Sequence, residues 1–171
     1  SVGVSEIAPA EGQVHVFRHD GTMLTGWPQA TASSVQNSSP ALGDLDGDGR
    51  LEVVVGAVDG QVSTWDAGGM LHPGWPVAAG GSVHTSAPAL ADVDADGLPE
   101  VVVPSADGRV YAWNADGTPV TGWPLTTANQ LRSPAVIADL DHNGKLDVVA
   151  VSLEGPMYRW EIDHAVPDRE V

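Results

Sequence analysis

The sequence predicts an all-β protein made of β-propeller blades: two full four-stranded blades flanked by two partial ones. Three observations carry this. The tripeptide Gly-Trp-Pro recurs at Gly26, Gly74 and Gly122, 48 residues apart each time. The same interval relates Gly12, Gly60 and Gly108, the aromatic positions Phe17, Trp65 and Trp113, and the glycines Gly21, Gly69 and Gly117; Gly155 and Trp160 follow as a fourth copy after 47 residues. Matched positions at a period just under 50 residues mark a repeat architecture. Finally, 42% of the 171 residues are hydrophobic, beside 20 glycines and 13 prolines, and no dozen-residue stretch spaces its apolar residues three and four apart. That composition suits short strands and tight turns, and it argues against helices.

One repeat shows the elements in order. Residues 40–44 read as a short first strand and residues 44–50 as an acidic, glycine-rich loop. Residues 51–58 form a β-branched second strand that ends at the hairpin signal Asp59-Gly60. Residues 61–66 alternate as a third strand, and Ala67-Gly68-Gly69 turns the chain again. Residues 70–77 are expected to be the outer fourth strand, because Pro73 and Pro76 are tolerated only where no ladder donor is needed. Four such antiparallel strands make a propeller blade. The expected units are a partial blade at 1–39, blades at 40–87 and 88–133, and a partial blade at 134–171. Open strand edges invite aggregation, and three arrangements answer that. The chain is part of a larger propeller, or a second copy closes the ring as a homodimer, or four blades close on their own.

Composition excludes several functions. A net charge of −16 with only 7 Lys and Arg leaves no basic stripe for a phosphate backbone. Without cysteine there is no disulfide frame and no thiolate metal site. No apolar run approaches the length of a membrane span, and the N-terminal residues lack a basic segment followed by an apolar one. Export is therefore expected to depend on a signal outside these residues. No Gly-x-Ser-x-Gly, His-Glu-x-x-His or phosphate-loop motif is present, and the six histidines do not recur in register. No catalytic residue is assigned, and the chain is expected not to be an enzyme.

The acids are clustered, and that is where the chemistry lies. Asp44, Asp46, Asp48 and Glu52 occupy positions one, three, five and nine of a first loop. Asp92, Asp94, Asp96 and Glu100 repeat the pattern, and Asp139, Asp141, Asn143 and Asp147 give a third copy. Position six is Gly49, Gly97 or Gly144; position seven (Arg50, Leu98 or Lys145) can contribute its backbone carbonyl. Alternate oxygens on a tight loop converge on one point, which suits calcium, a hard cation with six to eight oxygen ligands. Magnesium wants stricter octahedral geometry. Zinc would want His or Cys, and His84 and His142 have no partners at ligand spacing. Position twelve is Val55, Val103 or Ala150, so the bidentate acid of an EF-hand is missing and the flanks read as strands. Asp and Gly also favour plain turns, but three copies in register point to a shared ligand. The loops hold eleven of the 23 acids, and about three calcium ions would bring the charge from −16 to −10.

The stretches PALGDLDGDGRLEVVVGAVDGQVSTWDAGG and PALADVDADGLPEVVVPSADGRVYAWNADG resemble FG-GAP or VCBS-type repeats, the calcium-loop blades of integrin α-subunits and of many bacterial exported proteins. The resemblance implies propeller blades with calcium held between the first and second strands, on the residues just named. The expected role is a secreted or cell-surface module for adhesion, protein interaction or structure, with a protein or glycan ligand that the family does not name; the charge and the lack of a long apolar run argue against nucleic-acid binding and membrane insertion. Two alternatives stand beside it. Trp27, Trp75 and Trp123, with Trp65, Trp113 and Trp160, either fill the wedges between blades or present sugar-stacking platforms, as in a multivalent lectin. Propellers of this kind also occur as portions of secreted polysaccharide lyases and hydrolases.

Overall fold

The structure, a computed structural model, describes residues 2–6, 12–83 and 86–165; His84 lies outside them. Four antiparallel sheets follow one another along the chain. The first joins β1 (Val2–Glu6), β2 (Gly12–Val16) and β3 (Gln29–Thr31) in that order. The second is β4 (Ala41–Gly43), β5 (Glu52–Gly56), β6 (Gln61–Trp65) and β7 (Val77–Ala78). The third repeats it with β8 (Ala89–Ala91), β9 (Glu100–Ser105), β10 (Arg109–Trp113) and β11 (Leu125–Thr126). The fourth has three strands, β12 (Val136–Ala138), β13 (Lys145–Val151) and β14 (Met157–Ala165). The expected pattern of blades, two full between two partial, is present.

The β-branched runs explain how the sheets stack. Side chains of a strand alternate between its two faces, and both faces of the central blades are covered. Val53 and Val55 of β5 pack with Val14, Trp27 and Val35 of the first blade. Val54, between them, joins Val101, Val103 and Trp113 of the third. Val102 then packs with Val148 and Ile162 of the fourth. The core is thus a series of wedges, each shared by two neighbouring sheets. A strand buried on both faces reads as continuous Val with little alternation, which is why Glu52–Gly56 is buried throughout.

Gly-Trp-Pro links consecutive blades. The Trp27 indole donates to the Ala67 carbonyl at 3.2 Å, and the Trp75 indole to the Ala115 carbonyl at 2.7 Å. Each ring meets the next blade's tryptophan edge to face, with centroids 6.0 Å apart for Trp27–Trp65 and 6.3 Å for Trp75–Trp113. Gly74 has φ +84°, and a Cβ there would lie on the Asp116 carbonyl of the neighbouring hairpin. Only glycine allows that approach. The peptide bond after each of Trp27, Trp75 and Trp123 is cis.

The outer strand differs from its expected extent. Residues 70–77 do not form one strand. After an isolated bridge from Trp65 to Leu71, the chain makes a second turn, in which Trp75 N–H donates to the His72 carbonyl, and pairing resumes only at Val77–Ala78. Gly-Trp-Pro is therefore a corner. Two prolines and a positive-φ glycine leave too few ladder donors for a strand.

Candidate metal centres

Each acidic loop spans the hairpin from a blade's first strand to its second. Position one closes it: Asp44, Asp92 and Asp139 accept the N–H of Gly49, Gly97 and Gly144 at 3.0, 3.1 and 2.9 Å. Position five makes a local turn, with Asp48, Asp96 and Asn143 accepting the N–H two residues on at 2.7, 2.8 and 2.9 Å. The position-six glycines lie at φ +84°, +96° and +84°. Position four is left-handed as well, and there the residues are Gly47, Ala95 and His142, with φ +75°, +61° and +58°. A left-handed non-glycine residue costs roughly 1–2 kcal/mol, so loops two and three hold their curvature against a local preference.

The loops bring acids together to different degrees. In the first, Asp44, Asp46 and Asp48 each place an oxygen within 4.8 Å of the others; in the second, Asp92, Asp94, Asp96 and Glu100 do so; in the third, Asp139, Asp141 and Asp147. Glu52 and Glu100 lie beneath their loops, 2% and 1% exposed, and accept the N–H of Leu45 and Val93 at 2.8 and 2.6 Å. Burial pushes both carboxyls up, and neighbouring acids add to it. For Glu100, beside Asp94, Asp96 and Asp92, the value reaches about 7. Asp44 Oδ1 is buried with no hydrogen-bond partner. An orphaned buried carboxylate oxygen is costly unless something positive meets it, so the first loop fits a hard divalent cation, as do the four convergent carboxylates of the second.

Two neighbours were not legible as parts of these sites. His72 places Nε2 3.4 Å from Asp46 Oδ2, on the wall of a 260 Å³ cleft shared by the first loop and the hairpin at Asp66. Its counterparts in the repeat are Leu24 and Val120, so nothing in the pattern marked it. Arg159 forks onto the third loop, with Nε 2.7 Å from Asp147 Oδ1 and Nη2 2.6 Å from Asp141 Oδ2. That contact holds the Asp147 carboxyl below the usual range. Of the position-seven residues, Arg50 and Leu98 lie in the loop just before β5 and β9, and Lys145 is the first residue of β13.

Blades whose first hairpin carries an oxygen-lined loop define the class: a repeat protein of propeller blades. The chain belongs to the FG-GAP-like repeat family, whose model matches residues 6–55 and 92–150, more than half of the sequence. No curated protein matches it in sequence. Among solved structures it is similar to the computationally designed Ika4 protein, with a TM-score of 0.61 and 21% identity over 94% of this chain and 85% of that one. It is similar also to the Vibrio cholerae biofilm matrix protein Bap1, with a TM-score of 0.59 and 22% identity, covering 90% of this chain and 24% of that one. A third match is BBS1N, crystallised in complex with ARL6DN, with a TM-score of 0.57 and 15% identity, covering 91% of this chain and 48% of that one. The chain thus spans about a quarter of Bap1 and about half of BBS1N, and at these identities the likeness concerns the fold.

Proposed function

We propose that this chain is a calcium-stabilised propeller module that works outside the cell as a protein-binding or structural unit. The observation that carries the reading is the second loop. Four carboxylates converge there, one of them almost fully buried, and among the described residues no Lys, Arg or His pairs with them. Asp92, Asp94, Asp96, Glu100 and the Leu98 carbonyl would hold the ion; Asp44, Asp46, Asp48, Glu52 and the Arg50 carbonyl would do so in the first loop. Bound calcium supplies two positive charges and accepts oxygens at variable angles. The carboxylates in this reading serve the ion and not a reaction. Sites with dissociation constants of about 0.1–1 mM fill where calcium is abundant, which is why the reading places the protein in an extracellular setting.

Burial of four of the six tryptophans favours packing over sugar stacking. Trp27, Trp65, Trp75 and Trp113 are buried, so none offers a ring face to a glycan. Calcium titration by calorimetry tests the reading. Binding is expected in the submillimolar range, with the loss of one site in Asp94→Ala. Absence of heat up to several millimolar ion would mean that the loops are only acidic turns.

A further inference from the structure

Loop three departs from the other two in the group that faces its acids. Arg159 lies opposite Val149 in the β13–β14 ladder, where Thr64 lies opposite Val54 and Ala112 opposite Val102. Those two counterparts are small and buried. Arg159 instead reaches the loop and grips Asp147 through two nitrogens, Nε to Oδ1 at 2.7 Å and Nη2 to Oδ2 at 3.0 Å. The same Nη2 holds Asp141 Oδ2 at 2.6 Å. A guanidinium bridging two carboxylates takes the oxygens that a cation would need and supplies a positive charge in its place.

Position five points the same way. In Asp48 and Asp96 one oxygen accepts the N–H two residues on, which leaves the second free to turn to an ion. In Asn143 the second atom is an amide nitrogen, and it donates to Glu161 Oε2 at 2.7 Å. The amide nitrogen cannot ligate calcium, so position five offers only Oδ1, which already accepts the Lys145 N–H. Lys145 Nζ, at 2.8 Å from Glu161 Oε1 and 2.9 Å from Asp163 Oδ1, ties the far side of the loop to β14. Position nine is also shorter by a methylene, since Asp147 stands where Glu52 and Glu100 stand.

We infer that the third loop is closed by Arg159 in place of calcium, so that the chain takes up two ions and not three. This rests on the calcium reading of the first two loops. Arg159 is a built-in counter-ion, and it lets the last blade keep its loop ordered at calcium concentrations that empty the other two.

The glycine amides report each loop separately, because Gly49, Gly97 and Gly144 each donate to a position-one Asp. In a calcium chloride titration followed by amide NMR, the Gly49 and Gly97 resonances should shift and Gly144 should stay in place. Calorimetry should then give a stoichiometry of two. Arg159→Ala should make Gly144 respond and raise the stoichiometry to three; Arg159→Gln, which keeps donors without charge, serves if the alanine variant folds poorly. A Gly144 shift in the wild-type chain, at the calcium concentrations that move the other two, overturns the inference and leaves the calcium reading intact. Silence at Gly49 and Gly97 overturns the calcium reading itself, and the inference with it.

Discussion

Trp75 and Trp123 hold the same place in successive repeats and meet different surroundings. Trp75 is 5% exposed, its indole bonded to Ala115 and its ring set against Trp113. Trp123 is half-buried and has no indole partner among the described residues. The reason lies in the next blade. Where the second and third blades turn tightly after Trp65 and Trp113, the fourth continues as β14 to Ala165, so no hairpin among the described residues approaches Gly122. Trp75→Ala should therefore cost about 3–5 kcal/mol in denaturant unfolding, as large core truncations do, and Trp123→Ala about half of that. Equal costs would mean that Gly-Trp-Pro is not a contact between blades. The residue scale is also where the sequence was least informative. The period assigned each tryptophan a place, but whether a hairpin meets it depends on the following repeat. Arg159 was hidden for a similar reason: as one residue of a strand it signals nothing until the ladder register sets it across from Val149.

At the scale of the element, the acidic loop is a hairpin connection that the chain shapes through its own hydrogen bonds, and in the first two copies no Lys or Arg among the described residues pairs with its acids. Position-one and position-five turns close it through its own N–H groups, which is why the Asp-x-Asp-x-Asp-Gly spacing could be read directly as a loop with convergent oxygens. Its left-handed fourth residue could not be, because Ala95 and His142 carry no sign of that conformation. The extent of the fourth strand was hidden too, since Met70–Val77 contains strand-forming residues whose pairing the corner at Gly74-Trp75-Pro76 interrupts. The charge left on the second loop has a pH consequence. Glu100 has a folded value near 7 against an ordinary 4.5. A carboxyl raised on folding adds stability while protonated and loses it as pH rises through that interval. Without metal, stability should fall as pH goes from about 4.5 to about 7, and Glu100→Gln should flatten that part of the profile. Chemical denaturation in EDTA across this range checks it; a profile unchanged by Glu100→Gln would remove Glu100 as the cause.

At the scale of the whole molecule, the blades form a series in which each sheet shares a buried wedge with the next, so stability is a sum over blades and the wedges between them. That architecture was readable from the 48-residue period, because repeats of one length impose one blade on every copy. The proposed cation binding would enter the sum locally, at the hairpins that begin the second and third blades. Binding to the folded loop alone adds RT ln(1 + [Ca]/Kd), roughly 0.4–1.4 kcal/mol per site at about 1 mM free ion. Two sites give roughly 1–3 kcal/mol, a substantial share of a marginally stable fold. For a domain of this size that corresponds to a change of roughly 2–12 °C in Tm. The most direct test is thermal unfolding of the intact chain at neutral pH, in EDTA and then in millimolar calcium. A higher Tm is expected in calcium, with most of the gain lost in the double variant Asp46→Ala, Asp94→Ala. A Tm indifferent to both chelation and calcium would contradict it.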